Sequence, residues 1–263
     1  MQDLIQIQTQ TIYAVQLAAQ FIQKEMGKIN QAHIETKSLN SLVTYVDKEA
    51  EKILVSELKK IINIATFLTE ENTIEAAQGE WQWIVDPLDG TTNFIHQIPV
   101  FAISVALKYK DVIVVGVVFE INRNELFYAT KNNGAYLNGS KIHVSSTSLL
   151  SDSLVATGFP YYDFDVLEKY ISFLKFLMSH TRGIRRLGAA SVDLCYTACG
   201  RFDAFFEHSL APWDVAAGAL IVQEAGGIVL DFNSGNNWLF GREMISVNPN
   251  ISEEFLAAFR SHF

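Results

Sequence analysis

The stretch from Phe101 to Val144 constrains the fold more than any other. "FAISVALKY" and "VIVVGVVFE" are apolar, β-branched runs separated only by Lys110-Asp111, and "ELFYAT" and "GAYLNGSKIHV" extend the pattern through Asn133-Gly134 and Asn138-Gly139. Such short polar and Asn-Gly breaks predict hairpins, and successive hairpins make an antiparallel meander. After the polar segment "SSTSLLSDS" the rhythm changes to strand "LVATG", helix 164–180, strand "GIRRLG", helix 189–199, strand "DAFFE", helix 213–225 and strand "GIVLD". Strands alternating with helices indicate a layered α/β arrangement.

Upstream, Ile5, Ile12, Val15, Ala19, Phe21, Ile22 and Met26 fall near one helical face, with Gly27 as a stop. Val46, Ala50, Ile53, Leu54, Leu58 and Ile61 define a second helix with Thr44 as its N-cap and an end near residues 60–63. "IATFL" then reads as a buried strand, "TEENTIEAAQGE" as a polar connection and "WQWIV" as the next strand. A chain of 263 residues, 49% apolar, can bury a core for one catalytic domain of two packed lobes, about 1–147 and 148–263. The longest apolar run, residues 112–119, is too short to cross a bilayer, and "MQDLIQIQTQ" lacks the basic start and apolar stretch of a signal peptide. A cytoplasmic protein without a membrane partner is expected. Cys195 and Cys199, four apart in an apolar helical pattern, read as reduced core thiols.

The formal net charge of −9 and the lack of a Lys/Arg run interleaved with aromatics argue against a nucleic acid partner. An acidic chain that takes an anionic substrate needs a bound cation to reverse the local field. "DPLDGTTN" has both a plain reading and a functional one. Pro and Gly form turns, and Asp, Asn and Thr suit the first turn of a helix. Yet Asp86 ends an apolar strand, Asp89 follows the turn, and Gly90-Thr91-Thr92-Asn93 can open a helix whose N–H groups face the same place. Carboxylates and carbonyls suit Mg²⁺, and none of the six histidines falls into a ligand pair. A phosphate could rest on the N–H groups of Gly90 and Thr91.

"DPLDGTTNF" resembles the signature of the inositol monophosphatase family of Mg²⁺-dependent, lithium-sensitive phosphatases, and the distant "PWDVAAGALIVQEAGG" matches a second signature of that family. "TEEN" and "LVTYVDKEAE" match its upstream acidic elements in order. The resemblance implies a five-layered αβαβα sandwich of the inositol monophosphatase and fructose bisphosphatase type, usually a homodimer. It implies that Glu70, Asp86 and the Leu88 carbonyl hold one Mg²⁺, that Asp86, Asp89 and Asp214 hold a second, and that a weaker third lies near Glu70. Thr91 and Asp47 would orient and help deprotonate the attacking water, with Glu70 also counted in the catalytic set. Substrate contacts would come from Asp89, Gly90, Thr91, Asp214, the backbone of Gly188, Ala189 and Ala190, and Glu207 as a hydroxyl acceptor. The implied reaction is hydrolysis of a small anionic phosphate ester, foremost myo-inositol 1-phosphate. Fructose 1,6-bisphosphate, adenosine 3',5'-bisphosphate, histidinol phosphate and dinucleotide 2'-phosphates are the alternatives, as is a non-catalytic Mg²⁺-dependent regulatory protein.

Each residue keeps a plainer reading beside this one. Thr44-x-x-Asp47 has capping-box spacing, Glu70 and Glu71 could be solvated loop charges, and Asp214 suits a helix first turn whether or not it binds metal. Glu207 at the end of an apolar strand is costly unless exposed or paired, while His208 and Arg185 read as surface or core-edge residues. Two positions depart from the family: Thr69 stands where Gly is usual, and Ala211 where some members carry a polar or basic residue. The Asp-x-x-Asp spacing disfavours a covalent aspartyl-phosphate route, and no Gly-x-x-x-x-Gly-Lys-Ser/Thr loop is present.

Overall fold

The computed structural model describes residues 3–29, 34–38, 41–77, 79–160 and 164–263. Met1, Gln2 and Gln78, which fall within the N-terminal stretch and the polar connection read above, lie outside the described residues. Helix α1 (Leu4–Glu25) is capped by Asp3, whose carboxylate accepts the Ile5 and Gln6 N–H groups, and the chain turns away at Gly27. A hairpin of β1 (Ile34–Ser38) and β2 (Ser41–Thr44) leads into α2 (Tyr45–Ile61).

The meander forms as its pattern predicts. Strands β3 (Thr66–Thr69), β4 (Trp81–Asp89), β5 (Ala102–Tyr109), β6 (Val112–Glu120), β7 (Glu125–Thr130), β8 (Ala135–Leu137) and β9 (Ser140–Ile142) lie side by side in chain order. Only β3 runs parallel to its neighbour. The connection after β4 is a five-residue helix, α3 (Thr91–Ile95).

The second half builds a five-stranded sheet in the order β11-β10-β12-β14-β13, from β10 (Leu154–Thr157), β11 (Gly183–Arg185), β12 (Ala204–His208), β13 (Ile228–Leu230) and β14 (Glu243–Val247). Its helices are α4 (Leu167–His180), α5 (Ala190–Ala198), α6 (Pro212–Glu224) and α7 (Ser252–Arg260). The alternating pattern predicts a layered α/β arrangement; within it β11, β10 and β12 run parallel, and β14 enters antiparallel between β12 and β13. Strand β14 and the β1-β2 hairpin are not among the elements expected from the sequence, nor is α7, although its Phe255 and Phe259 fall four apart on one buried face. Helix α4 begins at Leu167 rather than 164, after a turn.

Stacked in order, α1 and α2, the seven-stranded sheet, α5 and α6, the five-stranded sheet, and α4 and α7 make five layers, αβαβα. The middle helices are buried on both faces, and small residues mark the close approach: Ala216, Ala217 and Ala219 of α6 are buried, and a Cβ at Gly116 of β6 would fall 2.8 Å from the Ala217 carbonyl. The outer core is aromatic. Phe173 of α4 packs edge-on against Phe206 at 5.0 Å, Phe255 at 5.5 Å and Phe259 at 5.1 Å. Phe173→Ala should therefore cost about 3–5 kcal/mol in urea unfolding followed by circular dichroism; a loss below about 1 kcal/mol would mean that the neighbouring rings close the void.

Candidate active site

Strand β4 does not stop at Val85. It runs on through Asp89, and its register with β5 slips between Asp86, opposite Ser104, and Asp89, opposite Ala102. Three steps on β4 thus match two on β5, a bulge at the position where Pro87 has no N–H to offer. The expected turn is in fact this bulge, followed by Gly90 in the left-handed region at φ 92° as the cap of α3. A side chain at Gly90 would also press within 3.0 Å of the Val100 carbonyl. The bulge keeps Asp86, the Leu88 backbone and Asp89 on one rim, where they line a cavity of about 380 Å³ together with Glu70 and Asp214.

Each acid is held from behind. The Leu88 N–H donates to Asp86 Oδ1 at 2.9 Å, and the Ser191 N–H and hydroxyl donate to Asp89 Oδ2 at 2.8 and 2.6 Å. The Ala211 N–H donates to Asp214 Oδ2 at 2.7 Å, and the Glu70 N–H to the Val85 carbonyl at 3.2 Å. Asp47 does two jobs. Its Oδ2 accepts the Thr44 N–H at 2.9 Å and the Thr44 hydroxyl at 2.7 Å, capping α2, while its Oδ1 accepts the Thr91 hydroxyl at 2.8 Å. Thr91 Oγ1 also lies 3.0 Å from the Leu88 carbonyl. Asp47 itself is buried and meets the cavity through Thr91.

Burial sets the electrostatics, and like charge adds to it. Asp86 is raised well above the carboxylate range by burial first, then by Glu70, Asp89 and Asp214. Asp214 is raised by burial, then by Asp89 and Glu70. Asp89 is pushed up to about 6 by burial, against the pull of Ser191, the Ala190 amide and Arg186. Asp47 is raised by burial against its bonds to Thr44 and Thr91. Among the described residues, no group of three or more His, Cys, Asp and Glu is placed so as to hold a metal ion by itself. The open rim nevertheless offers only oxygen donors, and a cation between its acids would relieve their mutual repulsion. That donor set fits Mg²⁺ and leaves room for substrate oxygens.

The far wall belongs to the C-terminal half. Gly188, Ala189 and Ala190 line the cavity, but the Ala190 and Ser191 amides face Asp89. Glu207 lines it too, pushed up to about 8 by burial, with Arg186 pulling down and Asp89 pushing up. Arg185 is exposed, as read from the sequence, whereas His208 belongs to the cavity wall, because the last residues of β12 turn toward it. Sequence reasoning passed over Arg186 and Ser191, and read Asn93 only as part of a helix start. Arg186 faces the cavity with its guanidinium 5.6 Å from the Phe159 ring. Asn93 ties Val100 to Leu187 through carbonyl contacts of 2.8 and 2.9 Å. The Gly-Ala-Ala run before Ser191 was the available signal, since Ser fits the first turn of a helix and can turn its hydroxyl outward.

Glu207 fits only because residue 158 is glycine: a Cβ there would fall 1.8 Å from Glu207 Oε1. Gly158→Ala should cost about 1–3 kcal/mol in urea melts of the otherwise wild-type protein. In a Glu207→Ala background the same change should cost below about 0.5 kcal/mol; equal penalties in both backgrounds would show that Glu207 is not what fills the space.

The model of the inositol monophosphatase family matches residues 3–262. A protein of Neisseria meningitidis serogroup B named putative Nus factor SuhB is 42% identical over 250 residues, covering 95% of this chain and 96% of its own. Nus factor SuhB of Escherichia coli K12 is 40% identical, covering 95% and 94%. Among solved structures, the extragenic suppressor protein suhB of Bartonella henselae superposes with a TM-score of 0.92 at 36% identity, covering 97% of this chain and 98% of its own. An IMPase from Thermotoga maritima gives 0.87 at 31% identity, covering 95% of both. With its αβαβα layers, its acid-lined bulge and a family match over nearly the whole length, this chain belongs to the inositol monophosphatase family.

Proposed function

We propose that the protein hydrolyses a small phosphate monoester in a Mg²⁺-dependent reaction, with myo-inositol 1-phosphate as the first choice of substrate. The observation that carries this reading is the 2.8 Å bond from Thr91 to Asp47 beside the rim formed by Glu70, Asp86, Asp89 and Asp214. Glu70, Asp86 and the Leu88 carbonyl would hold one Mg²⁺, and Asp86, Asp89 and Asp214 a second. When bound, the ions neutralise phosphate charge and make water more acidic. Asp47, a buried acceptor, orients the Thr91 hydroxyl so that its oxygen can accept a proton from the attacking water, while its own proton moves toward Asp47 Oδ1. A new water-oxygen bond to phosphorus forms as the bond to the alcohol oxygen breaks, and the departing alkoxide takes a proton from solvent at the cavity mouth. Gly90 and Thr91 amides support the phosphate, and Glu207 accepts hydroxyls of the alcohol. The lobes about 1–147 and 148–263 act as one unit, since Asp89 from the first is held by Ser191 from the second.

A second reading draws support from the relatives named Nus factor SuhB. In it the protein also, or instead, serves as a regulatory factor. The net charge of −9 weighs against contact with nucleic acid phosphates but not against a protein partner. No helix among the described residues is long and apolar enough to cross a membrane.

Three measurements bear on the choice. Asp86→Asn and Asp89→Asn should each lower kcat at least about 100-fold with unchanged circular dichroism, and near-wild-type turnover in either would sink the scheme. Single turnover in ¹⁸O-water should label phosphate and leave the enzyme unlabelled, whereas label in Asp86 would favour a covalent route. A panel of polyol, nucleotide, sugar and histidinol phosphates, assayed for kcat/KM with and without Mg²⁺, ranks the substrates. Absence of turnover on all of them would favour the regulatory reading.

A further inference from the structure

The acid that shapes the site most from outside it is Glu51, on the inner face of α2 and fully buried. Its Oε1 accepts the Thr69 hydroxyl at 2.9 Å and both the N–H and the hydroxyl of Thr73 at 2.7 Å, and its Oε2 accepts the Glu71 N–H at 2.8 Å. All four donors are uncharged, and all come from residues 69–73. The loop is bent around the carboxylate: Asn72 sits at φ 53° and its side chain donates to the Glu70 carbonyl at 3.1 Å. On its other side the Glu70 N–H bonds to the Val85 carbonyl, so Glu70 is fastened between the clamp and the strand that carries Asp86.

A buried carboxylate is costly unless its lone pairs are satisfied, and an open loop could have bonded to water instead. The arrangement makes sense if the loop must hold one shape. We propose that Glu51 is the positioning residue for Glu70, fixing the 69–73 loop so that the Glu70 carboxylate meets the rim in the geometry that binds Mg²⁺; this rests on the metal reading of the preceding section. Thr69 takes part in the clamp. Where the family usually has Gly, this chain supplies a hydroxyl that a Gly could not, so the departure reinforces the loop.

The test is calorimetric titration of Mg²⁺ alone into the full chain without substrate, with melting temperatures recorded in parallel. Glu51→Gln keeps the volume but turns an N–H donor toward N–H donors, and it should weaken Mg²⁺ binding about 10–100-fold. Thr69→Val keeps the shape and deletes one donor, and it should weaken binding about 2–10-fold. Thr69→Ser restores the hydroxyl and should stay within about 2-fold of wild type. At saturating Mg²⁺, kcat should return to near the wild-type value in the variants. Wild-type Mg²⁺ affinity in Glu51→Gln or Thr69→Val, with only the melting temperature lowered, would reduce Glu51 to a stabilising role and overturn the proposal. If Glu51→Gln does not fold, the Thr69 pair carries the test. A wild-type protein that binds no Mg²⁺ overturns the metal reading itself, an outcome distinct from failure of the clamp.

Discussion

Like-charge repulsion is the constraint that the rest of the structure serves. Glu70, Asp86, Asp89 and Asp214 come from three separate stretches of chain and would drive one another apart in an unrestrained loop. What holds them is a set of short-range donors behind each one, namely the Leu88 amide, Ser191, the Ala211 amide and the loop clamped by Glu51. None of these donors carries a full charge, so the cluster is fixed in place while burial and mutual repulsion hold Asp86 and Asp214 well above the carboxylate range. A cation bound among the acids would favour their ionised form.

The layered fold supplies the same help at longer range. Asp47 and Asp214 each stand in the first turn of their helices, α2 and α6, and Ser191 in the first turn of α5 turns its N–H toward Asp89. Three helix starts therefore bring positive ends of their dipoles to one acidic region. That convergence requires α5 and α6 to lie between the two sheets, which in turn requires the small residues along α6. Packing in the middle layer and electrostatics at its edge are two sides of one arrangement.

The parts legible in the sequence are those whose cause is local. Thr44 and Asp47 follow capping-box spacing, the Asn-Gly turns mark hairpins, and Asp86 and Asp89 sit in a short motif whose neighbours announce a strand end. The bulge was not legible, because a turn and a bulge use the same Pro and Gly and only the register of β5 tells them apart. Glu51 and Ser191 were missed for a related reason. Each is an ordinary residue on a helix until a loop or strand from elsewhere is folded against it. Strand β14 is the fold-level case: its place between β12 and β13 is decided by pairing across the sheet, and its five residues carry no motif of their own.

The two ends of the cavity are specified to different degrees, and the physics explains why. At the acid end Asp86, Asp89 and Asp214 each have one carboxylate oxygen bonded from behind, and a change of one residue disturbs a charge. At the opposite end, Glu207, Arg186 and the Phe159 ring line the cavity with one acid, one cation and one apolar face. Under the proposed function such a wall would favour a hydroxyl-rich alcohol without dictating one shape. Ala211 does not line the cavity, and its amide serves Asp214, so its bearing on the site runs through the backbone. Under the proposed function, chemistry and specificity would be carried by separate groups within one cavity, an arrangement in which the first can be kept while the second varies.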